Sequence, residues 1–240
     1  MNALQNPFSG IVEAFRLIVI GDQTLLEIVL LSLYVSGVAL AISAVIGIPL
    51  GAIVGLRRFP GRRLIIALLY TGMGLPPVVV GLFVYLLLSR SGPLGSLNAD
   101  LIPALFTPSS MILAQTIIAL PLVAGFTMAA IIGVDPALRL QVRALGATEW
   151  QTTLALITEA RAGIIVAVAA GFGGIISEVG AVILVGGNIE HSTRVLTTAI
   201  VLETRKGNFD LAMALGIILL TLSFISNTFL LRLQGKTIDT

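Results

Sequence analysis

Residues 28–56, IVLLSLYVSGVALAISAVIGIPLGAIVGL, decide the fold class, because 29 consecutive positions carry no charge. A helix rises 1.5 Å per residue and the hydrocarbon core of a bilayer is about 30 Å thick, so about 20 apolar residues cross it. Working outward, uncharged runs of spanning length recur at 64–89, 101–134, 162–177 (continuing past one acid to 189) and 211–231. Lipid offers no partners to backbone N–H and C=O groups, so runs of this length must be helices. A β-barrel would instead alternate apolar and polar residues in segments of about ten. The expectation is an all-α integral membrane protein with five transmembrane helices.

The whole chain agrees with that reading. Of its 240 residues 57% are hydrophobic and 11% charged, and the mean hydropathy is +1.06, whereas soluble domains carry about 25% charge. Membrane lipid is therefore the expected surrounding. There is no cysteine and a single histidine, which excludes disulfides, thiolate chemistry and a histidine metal cluster. No metal or cofactor is expected in this chain. The N-terminal residues lack a basic stretch, short apolar core and small-residue cleavage site, so the first span is expected to be an uncleaved anchor.

The net charge of +2 does not point to nucleic acid, because the basic residues flank the spans and report topology. Arg57, Arg58, Arg62, Arg63, Arg139, Arg143, Arg161, Arg232 and Lys236, nine of the 14 basic residues, fall on one side. By the positive-inside rule that side is cytoplasmic, which puts the N-terminus outside and the C-terminus inside. Residues 1–240 then read as one transmembrane domain, with 1–27 an outer interfacial segment and 133–163 a cytoplasmic loop. Two shorter apolar pieces, 8–20 and 192–204, read as interfacial helices on the outer face.

The cytoplasmic loop is a polar island in an apolar chain. Asp135 followed by Pro136 predicts a helix start, since the carboxylate can accept from free N–H groups and proline lacks the donor that would be orphaned. Leu138, Val142 and Leu145 then share one face, with Arg139 and Arg143 on a neighbouring one. Gly146 supplies a left-handed turn, Ala147 follows, and a second helix of about ten residues starts near Thr148 with Glu149, Trp150 and Gln151. Helix, glycine turn, helix is a docking shape. The segment resembles the coupling loop of the permease subunits of ATP-binding-cassette importers, whose signature is Glu-Ala-Ala, three residues, Gly. Here Gly146 is the glycine, and Leu140-Gln141-Val142 stands in place of Glu-Ala-Ala.

Inside the spans, Thr71-Gly72-Met73-Gly74-Leu75-Pro76-Pro77 predicts a break, and Gln115 and Pro121 interrupt the third run. The fourth carries Ser177-Glu178-Val179-Gly180-Ala181 and then Gly186-Gly187-Asn188. Backbone breaks in a membrane are tolerated where they are buried in protein or line a water-filled cavity, so Gly74, Leu75, Pro76, Pro77, Gln115, Ser177, Glu178, Gly180, Gly186, Gly187 and Asn188 mark the expected pathway or gate. The glycines serve equally for close helix packing. Glu178 reads as a structural or gating group that accepts hydrogen bonds from Ser177, Gln115 or freed backbone. Its alternative, a proton or cation site, finds no charged partner in another span. After this span, Asn188, His191, Ser192, Thr193 and Arg194 offer donors to an oxyanion or to its carrier, or form a solvated loop.

These segments, with Gly92-Pro93-Leu94-Gly95, resemble permeases of the molybdate, tungstate and sulfate group over nearly the whole chain, and the tungstate type most. The resemblance implies the fold of a type I importer permease in a bacterial or archaeal cell membrane and a homodimer around the pathway. It also implies two separate ATP-binding-cassette ATPase subunits and an extracytoplasmic oxyanion-binding protein. No G-x-x-x-x-G-K-[ST] string is present, so ATP and Mg belong to the partner ATPases. Two other classes, a proton-coupled secondary carrier and a membrane-embedded enzyme, lack respectively the internal repeat and the converging catalytic groups they need.

Overall fold

The computed structural model describes residues 12, 16, 23–97, 99 and 102–233. These residues form ten α-helices and one 3-10 turn, with no strand among them. The helices are α1 (Gln23–Leu56), α2 (Arg62–Met73), α3 (Pro77–Leu88), α4 (Pro108–Ile132), α5 (Pro136–Ala144), α6 (Glu149–Glu159), α7 (Arg161–Ile176), α8 (Gly180–Gly186), α9 (Leu196–Lys206) and α10 (Phe209–Leu233). Of the expected outer segment 8–20 only Val12 and Arg16 are described, both helical, and Lys236 of the basic tail lies outside the described residues.

Three helices, α1, α4 and α10, are each long and apolar enough to cross a membrane, and the number rises to five if the bent pairs α2–α3 and α6–α7 each count as one span. Proline marks the break in the first pair, whereas only Ala160 separates α6 from α7, and Pro121, expected to interrupt the third run, lies inside the continuous α4. Pro76 is extended with ψ 123° and Pro77 opens α3 as its first residue, since the residue before a proline disfavours helical geometry. Two expected spans are corrected. The run 101–134 becomes helical only at Pro108, because Phe106, at φ 59°, is tied from its amide to the carbonyl of Val185 at 2.8 Å. The run 162–189 is two helices, with Ser177, Glu178 and Val179 between α7 and α8.

The interfacial segment expected at 192–204 is also corrected. Residues up to Arg194 are held in a tight turn, in which the Ile189 carbonyl accepts from the amides of Thr193 (2.9 Å) and Arg194 (3.0 Å). The helix that follows, α9, buries Leu196, Thr197, Thr198 and Ala199 rather than resting on a surface.

The chain forms two compact units, and α1, α4, α7 and α10 each contribute to both. The first unit comprises Met1–Ala39, Pro76–Gln115 and Gly174–Ser226. Its apolar core joins Leu25 and Ile28 of α1, Leu196 and Ala199 of α9, and Leu215 and Ile218 of α10. Ser32 links two of these elements, accepting from the Leu196 amide at 2.8 Å while donating to the Ile28 carbonyl at 2.6 Å. Helices α3 and α8 pack so closely that a Cβ on Gly81 would lie 2.5 Å from the Ala181 Cα. Small residues at helix crossings are what membrane proteins use, because lipid removes the hydrophobic drive between helices and leaves dispersion and hydrogen bonds to hold them.

The second unit comprises Leu40–Leu75, Thr116–Gly173 and Asn227–Thr240. Val54, Leu69, Ala124 and Met128 form one cluster, with Phe59 packed against it, and Ala52, Ile131 and Ala160 form another. Between their ends the exposed faces of α1 and α10 are largely apolar, with Leu30, Val45, Leu220 and Phe224 exposed, as hydrocarbon-facing surfaces are.

Candidate functional site

The polar loop of the second unit folds as its sequence dictates. The Asp135 carboxylate accepts from the Ala137 amide at 2.8 Å, capping α5. Gly146 has φ +86°, a left-handed conformation that costs other residues about 1–2 kcal/mol, and it turns the chain into α6. Thr148 caps α6 by a reciprocal arrangement: its hydroxyl accepts from the Gln151 backbone amide at 3.3 Å, and the Gln151 side-chain Oε1 accepts from the Thr148 backbone amide at 2.8 Å. Across this corner Glu149 pairs with Arg143, and at 3.9 Å with Arg139. All three side chains are largely exposed, so each pair contributes at most about 1 kcal/mol. Their effect is to orient the corner.

Leu138 and Val142 are half-buried, whereas Leu145 at the end of the helix is 88% exposed. It joins Leu140, Trp150 and Leu154 as exposed apolar side chains, at the C-cap of α5 with its amide still donating to the Gln141 carbonyl at 3.1 Å. The result is a projecting corner with apolar side chains and two arginines. Behind it, a groove of about 460 Å³ is lined by Val134, Asp135, Leu138, Gln141 and Glu159 among others.

In the first unit, Glu178 sits between α7 and α8 and is only 5% exposed. Its two carboxylate oxygens accept from the amides of Ala181 at 2.7 Å and Val182 at 3.1 Å. The freed backbone is thus one of the partners the sequence offered. Gln115 instead donates from Nε2 to the Ile175 carbonyl at 3.1 Å, and its Oε1 is buried without a partner among the described residues. The Glu178 carbonyl in turn accepts from the Thr197 hydroxyl at 2.9 Å. The other end of α8 is held by Ser110, whose hydroxyl donates to the Val185 carbonyl at 3.1 Å, and by Thr193, whose hydroxyl donates to the Gly186 carbonyl at 2.5 Å. A Cβ on Gly180 or Gly186 would collide with Val78 or Met111 respectively. Pro76, Pro77, Gln115, Ser177, Glu178, Gly180, Gly186, Gly187 and Asn188 thus all belong to the first unit, whereas Gly74 and Leu75 end α2 in the second.

The loop after α8 contains two non-glycine residues in the left-handed region, Asn188 (φ 53°) and His191 (φ 56°). Asn188 Oδ1 and Arg194 Nε are buried without hydrogen-bond partners among the described residues, although Arg194 Nη1 pairs with Glu190 at 3.0 Å. His191 Nδ1 lies 2.6 Å from Glu27 Oε2. That hydrogen bond, then the Glu27 charge, raises the imidazole pKa above its ordinary value. At the end of α9, burial pushes the Glu203 carboxyl up, but hydrogen bonds from Asn208 and Lys206 and the positive charges of Lys206 and Arg194 outweigh it, so the pKa is lowered overall.

Sequence reasoning overlooked several of these partners. The Thr148-x-x-Gln151 spacing is a capping-box signature and could have been found. Thr193, Thr197 and the Glu27–His191 pair join residues 7, 19 and 164 positions apart, for which no local pattern exists. Among the described residues no cluster of three or more His, Cys, Asp or Glu side chains could hold a metal ion.

Known proteins resemble this chain in sequence and in fold. The model of the family "binding-protein-dependent transport system inner membrane component" matches residues 47–238. The chain is 46% identical over 218 residues to the probable anion ABC transporter permease protein of Haloferax volcanii, covering 89% of this chain and 92% of that one. It is 39% identical to the tungstate uptake system permease protein TupB of Peptoclostridium acidaminophilum, covering 95% and 97%. Its fold is similar to a solved bacterial ABC transporter involved in the import of the acidic polysaccharide alginate, with a TM-score of 0.72 and 22% identity over 94% of this chain and 84% of that one. With a family match across most of its length, the chain belongs to the binding-protein-dependent transport system inner membrane components.

Proposed function

We propose that this chain is the permease subunit of an ATP-driven importer of an oxyanion, and that the oxyanion is tungstate, with molybdate and sulfate as the competing substrates. The observation that carries the reading is the 39% identity over 95% of the chain to a permease named for tungstate uptake. The 46% identity to a probable anion permease supports the broader class. Five spans, with the N-terminus outside and the C-terminus cytoplasmic, are supported by the asymmetry of the basic residues.

In this reading two copies enclose the pathway, and an extracytoplasmic binding protein delivers the anion. Two separate ATPase subunits, which hold ATP and Mg, dock against Asp135, Pro136, Leu138, Arg139, Val142, Arg143, Leu145, Gly146, Ala147, Thr148, Glu149 and Trp150. The exposed Leu145 and Trp150 flanked by two arginines support that role, since desolvated aromatic and aliphatic anchors with arginine dominate protein interfaces. ATP-driven closure of the ATPase pair would move this corner and switch the gate, a rigid-body transition between two states. Glu178 serves as a fixed cap within the gate segment rather than as a proton carrier. A bare carboxylate on the path would repel a dianion at low dielectric, whereas this one is engaged by two amides.

The test is uptake of radiolabelled tungstate, molybdate and sulfate into vesicles that contain the chain with its ATPase and binding protein. Tungstate uptake that needs ATP and outruns the other two anions is the expected result. Uptake driven by a proton gradient in the absence of the ATPase would overturn the reading.

A further inference from the structure

The turn between α1 and α2 carries four arginines, Arg57, Arg58, Arg62 and Arg63, in the string Leu-Arg-Arg-Phe-Pro-Gly-Arg-Arg-Leu. No acidic residue occurs anywhere between Glu27 and Asp100, so nothing nearby in the chain neutralises them. Arg57, Arg58 and Arg63 are exposed, and none has an acidic partner among the described residues. Arg62 is different: its Nε donates to the Val54 carbonyl at 2.7 Å, which anchors the turn. The turn is anchored a second time by Phe59, packed against the cluster of Val54, Leu69, Ala124 and Met128.

The surroundings are apolar. Ile53 stands exposed one turn before the arginines, and Leu64 and Leu68 stand exposed after them, at 65% and 61%. The arginines therefore mark the end of one apolar helix and the start of the next, the level at which a bilayer places its phosphates. An anchored turn with three unpaired guanidinium groups and apolar side chains on either flank matches one ligand, a phospholipid with a net negative headgroup. Guanidinium forks bind phosphate oxygens, often in pairs, and the leucines meet the upper acyl chain. Clusters of this size beside a membrane span attract anionic lipid.

We propose that Arg57, Arg58 and Arg63 form a binding site for an anionic phospholipid headgroup. The site shares no residue with the expected pathway or with the docking loop, and it does not depend on which solute is imported.

The full chain is reconstituted in phosphatidylcholine vesicles doped with spin-labelled phosphatidylglycerol or, in parallel, spin-labelled phosphatidylcholine, and the motionally restricted fraction of each label is measured. The expected result is a preference for phosphatidylglycerol of at least about fivefold, the gain one such arginine supplies at low salt. That preference should fall with added salt. It should drop towards one in R57Q/R58Q/R63Q and persist in R57K/R58K/R63K, which keeps the charge. Equal restriction of the two lipids by the wild-type chain would overturn the proposal without recourse to any variant. So would a preference unchanged in R57Q/R58Q/R63Q. Loss of the preference on adding millimolar inorganic phosphate, at a sodium chloride control of equal ionic strength that preserves it, would reassign the site to free phosphate and also overturn it.

Discussion

The hydroxyl of Thr197 donates to the main-chain carbonyl of Glu178 at 2.9 Å, while the carboxylate of the same Glu178 accepts from the first amides of α8. One residue thus fastens α9 to the break between α7 and α8 through its backbone and opens α8 through its side chain. At a residue 5% exposed, water has little access to replace either bond.

Glu178→Ala is expected to lower stability by about 1–3 kcal/mol, the cost of leaving buried amides without an acceptor. Glu178→Gln retains one carbonyl oxygen and should lose less than half of that. Thermal unfolding in detergent checks both. Equal stability of the alanine variant and the wild type would show that the cap contributes nothing.

Gly146→Pro is expected to abolish ATP-driven uptake while the protein still inserts in the membrane. Proline fixes φ near −65°, whereas this position needs +86°. Gly146→Ala fits the open space around the residue and should retain partial uptake, at a conformational cost of about 1–2 kcal/mol. Membrane fractionation and vesicle uptake, run on the same preparations, separate the two effects.

Gly81→Val should disrupt the contact between α3 and α8, because even the first added carbon meets the Ala181 backbone at 2.5 Å and backbone cannot swing aside. An overpacking cost of about 1–3 kcal/mol or more is expected, read as a lower midpoint in detergent unfolding. Gly216→Val, where nothing lies within 4 Å, is the control that should change little.

The His191–Glu27 pair gives a pH dependence whose sign follows from its geometry. The folded imidazole has a raised pKa, so its stabilisation is complete below the unfolded value of about 6.5 and disappears as pH rises through the folded value. The stability difference between the wild type and Glu27→Gln should therefore be larger at about pH 6 than at about pH 9. Parallel unfolding curves at the two pH values measure it, and a difference that grows towards alkaline pH would contradict the pairing.

Much of this molecule was legible in its residues, for identifiable reasons. Membrane helices must satisfy their own backbone, so long uncharged runs could only be α1, α4 and α10. Local chemistry also fixed Asp135 as a cap, Gly146 as a left-handed turn and Pro76–Pro77 as a break. Long-range pairing was not legible. That Gln115 bonds the Ile175 carbonyl rather than Glu178, and that Pro108 rather than residue 101 starts α4, depend on contacts between distant segments. The exposed apolar corner was half visible: its helices were expected, and its orientation came from the Glu149 pairs with Arg139 and Arg143.

That corner has a mechanical consequence. Two short helices meeting at a single glycine would ordinarily form a loose hinge. Here Thr148 and Gln151 lock the start of one helix, and Glu149 reaches back to two arginines on the other. Bending the joint would have to break both the cap and the Glu149 pairs, so in the proposed docking role a push on Trp150 would meet resistance at the corner before it reached α7, which follows α6 at a 59° bend.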